Sequence, residues 1–101
     1  MKIIKCLVEN IEEEMHDAEK YAKLAYQYRE EYPQASNVFL TLSRQEVTHL
    51  NMLHDEAARL INEYRSAGND PPEAMLAVWN WEHAKMIDNL ARIKTMQDMA
   101  R

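Results

Sequence analysis

At 101 residues, with 47% hydrophobic and 29% charged side chains, the chain is sized and composed for a single folded domain and is unlike a disordered segment. A net charge of −5, with Lys and Arg interleaved among acids, argues against nucleic acid as a partner, because phosphate neutralisation needs clustered cations. One glycine and three prolines leave few places for turns, so the elements must be few and long.

In chain order, Met1-Lys2-Ile3-Ile4-Lys5-Cys6-Leu7-Val8 has a basic start but only a short apolar run, which soon gives way to Glu12, Glu13 and Glu14. Neither a signal peptide nor a membrane span is expected from it. The lone Cys6 has no internal partner for a disulfide, which fits a reducing cytoplasm, and it reads as inert. Helix 1 is predicted at about residues 2–31, with Ile4, Leu7, Ile11, Ala18, Tyr21, Ala25 and Tyr28 on one stripe. Pro33 suits the first turn of helix 2, predicted at about 33–67, where Phe39, Leu42, Leu53, Leu60 and Tyr64 form the stripe. Val47, Leu50, Ala57 and Ile61 widen that face, and Gly68 suits the position just past the helix end. Helix 3 is predicted at about 71–100, with Asp70 and Glu73 as a reciprocal cap and Met75, Leu76, Trp79, Met86, Leu90 and Ile93 facing inward. Strand-type alternation is absent. The expected fold is all-α: a long antiparallel hairpin plus a third long helix, in one domain spanning 1–101. Helices of this length expose apolar surface when left alone, so self-association is expected.

Three polar residues interrupt the stripes. Glu14 falls between Ile11 and Ala18, one heptad from both Leu7 and Tyr21, and seven residues is nearly two turns. Glu46 and His49 lie between Leu42 and Leu53 as an E-x-x-H pattern, whose i, i+3 spacing brings both side chains to one side. An unpaired buried carboxylate costs several kcal/mol or more, so a countercharge is needed. Lys20, Lys23 and Arg29 lie off the main face of helix 1, and Arg44, Arg59 and Arg65 off that of helix 2. Lys85, Arg92 and Lys94 flank the helix 3 stripe, on which only His83 is basic. Two carboxylates and an imidazole without a countercharge fit a divalent cation. Glu14 lies 19 residues before Pro33, with Glu46 and His49 13 and 16 after it. At about 1.5 Å per residue the mismatch is roughly 5–9 Å, most of which a short turn at the end of helix 1 removes.

The stretch Ile11-Glu12-Glu13-Glu14-Met15-His16-Asp17-Ala18-Glu19-Lys20-Tyr21-Ala22, with Glu46-Val47-Thr48-His49, resembles the ferritin-like di-iron family, especially encapsulated ferritins and the first helical pair of rubrerythrins. Glu14, Tyr21, Glu46 and His49 match that family's pattern position by position. A complete site of this kind uses two such sets, and this chain carries one. The resemblance therefore implies that two chains dock their hairpins into a four-helix bundle, sharing two irons between them, with Mn or Zn as substitutes. It further implies ferroxidase chemistry, with Fe(II) oxidised by dioxygen or peroxide. In that scheme Glu46 bridges the metals, Glu14 and His49 each cap one, and Tyr21 supplies a hydrogen bond or redox partner. No four-cysteine rubredoxin site accompanies the match, and no C-terminal stretch resembles a cargo-targeting peptide.

The remaining candidates read as structural, with a metal-entry role as the alternative for Glu13 and His16 and for His54 and Glu56. Glu13 and His16 form a second E-x-x-H among Asn10, Asp17 and Lys20, on a solvated face. His54 and Glu56 flank the inner stripe of helix 2; His83, one turn after Trp79, reads as a satisfied core residue, and Trp79 and Trp81 as packing residues. Catalytic triads, phosphate-binding glycine loops and nucleotide fingerprints are absent. The leading expectation is a cytoplasmic, homo-oligomeric di-iron ferroxidase. A helical assembly protein with a structural or vestigial metal, and a di-iron or di-manganese peroxidase-like enzyme, are the alternatives.

Overall fold

The computed structural model describes all residues 1–101 as three helices: α1 (Lys2–Tyr28), α2 (Pro33–Ser66) and α3 (Glu73–Met99). Together they form a rod of 57 × 17 × 17 Å, whose long axis is set by the 34 residues of α2.

Local sequence explains each break. Pro33 opens α2 as its first residue and keeps Tyr32 out of the helical region (φ −132°, ψ 70°), so α1 stops at Tyr28 and residues 29–32 make the turn. Gly68, at φ 85°, takes the left-handed conformation that closes α2. Its N–H donates to the Arg65 carbonyl at 3.0 Å and the Asn69 N–H to the Tyr64 carbonyl at 3.3 Å, a Schellman closure. The start of α3 departs from the sequence expectation. Pro72 holds Pro71 out of the helical region and is itself extended (ψ 139°), so the helix begins only at Glu73 and Asp70 does not cap it.

The hairpin register is locked by small residues. Ala18, Ala22 and Ala25 are fully buried, which lets α2 approach closely. The Ser43 hydroxyl donates to the Ala18 carbonyl at 2.7 Å, and the Ser36 hydroxyl to the Ala25 carbonyl at 2.6 Å. Ala18 and Ala25 lie seven residues apart, as do Ser36 and Ser43, so the two bonds repeat the same register two turns apart. One heptad the other way, Ile11 and Leu50 meet in the centre of the core. α1 and α2 are therefore antiparallel.

α3 runs alongside α1 in the same direction. Lys85 reaches Glu12 and Arg92 reaches Glu19, each at 3.1 Å and each across 73 residues of sequence. Met86 and Ile93 complete a core with Ile11, Met15, Ala18 and Leu50, and Gln97 donates to the Ser43 hydroxyl at 2.8 Å. These contacts place α3 on one side of the hairpin only. Glu12 and Glu14 lie about 200° apart on α1, so the side that receives α3 is the side that Glu14 faces away from.

Candidate metal centre

Between the Ala18–Ser43 and Ile11–Leu50 levels, the hairpin brings Glu14 opposite Glu46 and His49. Glu14 lies 14 residues before the end of α1, and Glu46 and His49 lie 13 and 16 residues after the start of α2, so their depths match. One ligand atom from each of the three lies within 4.8 Å of the others. His49 Nδ1 stands 3.5 Å from Glu14 Oε2 and 3.7 Å from Glu46 Oε2. Neither carboxylate has a Lys or Arg partner, and Glu14 Oε2 is buried without a hydrogen-bond donor.

The sequence expectation of three inward-pointing groups needs one correction. In the single chain the His49 side chain is 53% exposed, with Glu14 at 27% and Glu46 at 18%. The cluster sits at the floor of an open face, because α3 covers the other side. Half-buried Tyr21, Phe39, Leu42 and Leu53 each lie one heptad from Glu14, Glu46 or His49, and Leu53 also packs on the core. Tyr21 stands one heptad along from Glu14, but its ring stacks on Phe39 at 6.2 Å, with the Lys20 ammonium 4.7 Å from the ring centre. No hydrogen bond joins it to Glu14, Glu46 or His49.

The donor chemistry suits a metal. Two carboxylates and an imidazole are the ligand types that iron, manganese and zinc accept, and an orphaned buried carboxylate oxygen is the kind of group a cation satisfies. With that geometry in hand, comparison with known families is informative: the family model described as Rubrerythrin matches residues 5–90. The chain belongs to the rubrerythrin family. Neither the curated proteins nor the solved structures yield a match. The rubrerythrin match spans α1, α2 and most of α3, and it agrees with the all-α, ferritin-like reading of the sequence. No helix is long and apolar enough to cross a membrane.

The most deeply buried carboxylate is one the sequence reading left without a role. Glu82 is 2% exposed, and neither of its oxygens meets a donor while it is ionised. It faces Glu12 across the α1–α3 interface. Burial, followed by the bond to Glu12 and the negative charge there, pushes the Glu82 carboxyl up to about 7. Glu12 is held below the usual carboxylate range by its bonds from Glu82 and Lys85. Below about pH 7 Glu82 is therefore a neutral acid beside the Glu12 carboxylate, which the Lys85 ammonium also reaches. The signal was present in the sequence. Glu82 occupies a 3–4 spaced position on the stripe Met75, Trp79, Met86, Leu90 and Ile93, as Glu14 does on α1.

The other candidates fall as follows. Glu13 and His16 are exposed, as expected of a solvated face. Glu56 is bound by Arg59 at 2.6 Å, and that hydrogen bond lowers its carboxyl from the ordinary value. His83 is half-buried and pairs with His54, Nδ1 to Nε2, at 2.9 Å. Cys6 is exposed.

Proposed function

We propose that the protein oxidises Fe(II) at a centre completed by docking two copies of the hairpin through their Glu14 faces. The observation that carries this reading is the convergence of Glu14, Glu46 and His49 around an orphaned carboxylate oxygen with no Lys or Arg to neutralise it. Each chain supplies one glutamate and one E-x-x-H set, half of what a ferritin-like di-iron site requires. The open face on which the set sits, opposite α3, supports its being shared.

Fe(II) held there would give up one electron per ion, with dioxygen or peroxide as the acceptor. The chain's own groups do the rest. Glu14 and Glu46 provide the negative charge that makes the ferric product more favourable than the ferrous substrate. His49 binds through a neutral nitrogen, so metal uptake displaces any proton held between it and the two carboxylates. Tyr21, on the same face, is the neighbouring redox-capable side chain. The half-buried leucines and aromatic rings around the cluster exclude water once a second copy covers them.

The test is Fe(II) titration under air with ferric absorbance as the readout. The wild type should show turnover, and Glu46→Ala should abolish it and lower the bound iron severalfold. Normal iron binding by that variant would contradict the assignment. Replacing dioxygen with peroxide in the same assay separates a ferroxidase from a peroxidase-like enzyme, by whichever oxidant reacts faster.

A further inference from the structure

A run of aromatic rings leads from the Glu14 centre to the tip of the hairpin. Tyr21 stands two turns past Glu14 on α1, about 10 Å along the helix axis. Its ring lies against Phe39 of α2, with centroids 6.2 Å apart and planes 18° from parallel. Phe39 meets Tyr28 at 6.5 Å, and Tyr28 meets Tyr32, in the turn, at 5.9 Å. The line ends on a ring that is 54% exposed.

Packing accounts for the contacts, since aromatic pairs settle at centroid separations of about 4.5–7 Å. It does not account for the choice of rings. Three of the four are phenols, which lose an electron and a proton far more readily than a phenyl ring does. Phe39 fills the gap between Tyr21 and Tyr28 and touches both, so it couples them without itself being oxidised. The Lys20 ammonium, 4.7 Å from the centre of the Tyr21 ring, opposes a cation radical there, so the phenolic proton must leave with the electron. No phenol oxygen is buried without a partner, so each proton can exchange with water.

We propose that Tyr21, Phe39, Tyr28 and Tyr32 form a relay that carries electrons from the hairpin tip to the Glu14 centre. The relay rests on the reading of that centre as a site of Fe(II) oxidation, and it supplies what two irons lack. Two Fe(II) ions give two electrons, which with two protons take dioxygen to hydrogen peroxide. Taking peroxide on to two waters needs two more electrons and two more protons. Each electron comes from Tyr21, which also releases its phenolic proton and becomes a neutral phenoxyl radical. Tyr28 restores Tyr21 in the same way through Phe39, and Tyr32 restores Tyr28. The Tyr32 radical then takes a hydrogen atom from a small reductant in solution, of the ascorbate class, which is oxidised by one electron each time.

The experiment loads the full chain with Fe(II) anaerobically, admits dioxygen without added reductant and captures protein radicals with a nitroso spin trap. Peptide mass spectrometry locates the adducts, and ferric absorbance is followed in the same sample. The wild type should carry its adduct on Tyr32. Tyr28→Phe keeps the ring and removes the oxidisable phenol, so the Tyr32 adduct should fall severalfold while one builds up on Tyr21. Tyr26 is the internal control, because it is 38% exposed and lies under the Arg29 guanidinium at 3.9 Å, outside the line of rings. A diffusing oxidant would mark Tyr26 and Tyr32 alike. Equal marking of those two, no adduct on Tyr32, or a Tyr32 adduct unchanged in Tyr28→Phe would overturn the relay, while ferric absorbance in the same sample left the iron centre standing. Without ferric absorbance, centre and relay fall together.

Discussion

Glu12 and Glu14 stand two residues apart on α1 and serve opposite sides of the hairpin. Glu12 meets Lys85 and Glu82 of α3, whereas Glu14 meets His49 on the open side. At about 100° per residue, a separation of two turns neighbouring residues away from each other. The same acidic run therefore anchors the third helix and furnishes the candidate metal centre.

The buried carboxyl on α3 makes stability depend on pH in a defined direction. Folding raises Glu82 from 4.5 to about 7, so the native state binds its proton more tightly than the unfolded chain. The contribution is fully present below about 4.5 and is lost as the pH rises through about 7. Glu82→Gln cannot ionise and offers an amide donor beside Glu12. The variant should lose this slope and be more stable than the wild type at pH 8 by about 1–3 kcal/mol, the ordinary cost of an unsatisfied buried group. Urea denaturation at pH 5 and pH 8 provides the comparison. An equal slope in both proteins would show that Glu82 is ionised throughout.

Ser43 ties all three helices together, donating to Ala18 of α1 and accepting from Gln97 of α3. Ser43→Ala leaves the buried Gln97 amide without a partner and should cost about 1–3 kcal/mol. Thr48→Ala, which removes an exposed hydroxyl bonded only to the Arg44 carbonyl of its own helix, should cost less than about 0.5 kcal/mol. Denaturation midpoints of the two variants should separate accordingly.

If two copies dock through the Glu14 face, a charge placed in that seam must break the assembly without unfolding the chain. Leu42 lies one turn before Glu46, is half-buried and belongs to none of the core clusters. Sedimentation should find the wild type as a dimer or larger. Leu42→Asp should be a monomer with an unchanged helical spectrum and weaker iron uptake. A wild-type monomer that holds iron at micromolar concentration would contradict a shared site.

How far the sequence carries the structure depends on the distance over which each signal acts. The helices were legible because the 3.6-residue period, Pro33 and Gly68 are local signals. The convergence of Glu14 with Glu46 and His49 was legible because a short turn leaves an antiparallel hairpin only one register to adopt. The start of α3 was misread because the cap pattern of Asp70 and Glu73 spans two prolines that hold the chain extended. The side on which α3 docks was hidden for a different reason. Lys85 and Arg92 look like solvated flanking charges until they are paired with Glu12 and Glu19 across a common offset, and no local pattern supplies that offset. Glu82 sits on a legible apolar stripe, but its partner Glu12 is on another helix, so their pairing depends on the same offset.

Anomalous diffraction at the iron edge, from crystals grown anaerobically with Fe(II), reads the candidate centre most directly. Two iron peaks per pair of chains should lie between facing hairpins, each peak within bonding distance of Glu14, Glu46 or His49 side chains. A map with no peak there, or with Glu14 and Glu46 turned to solvent while iron binds elsewhere, would contradict the assignment.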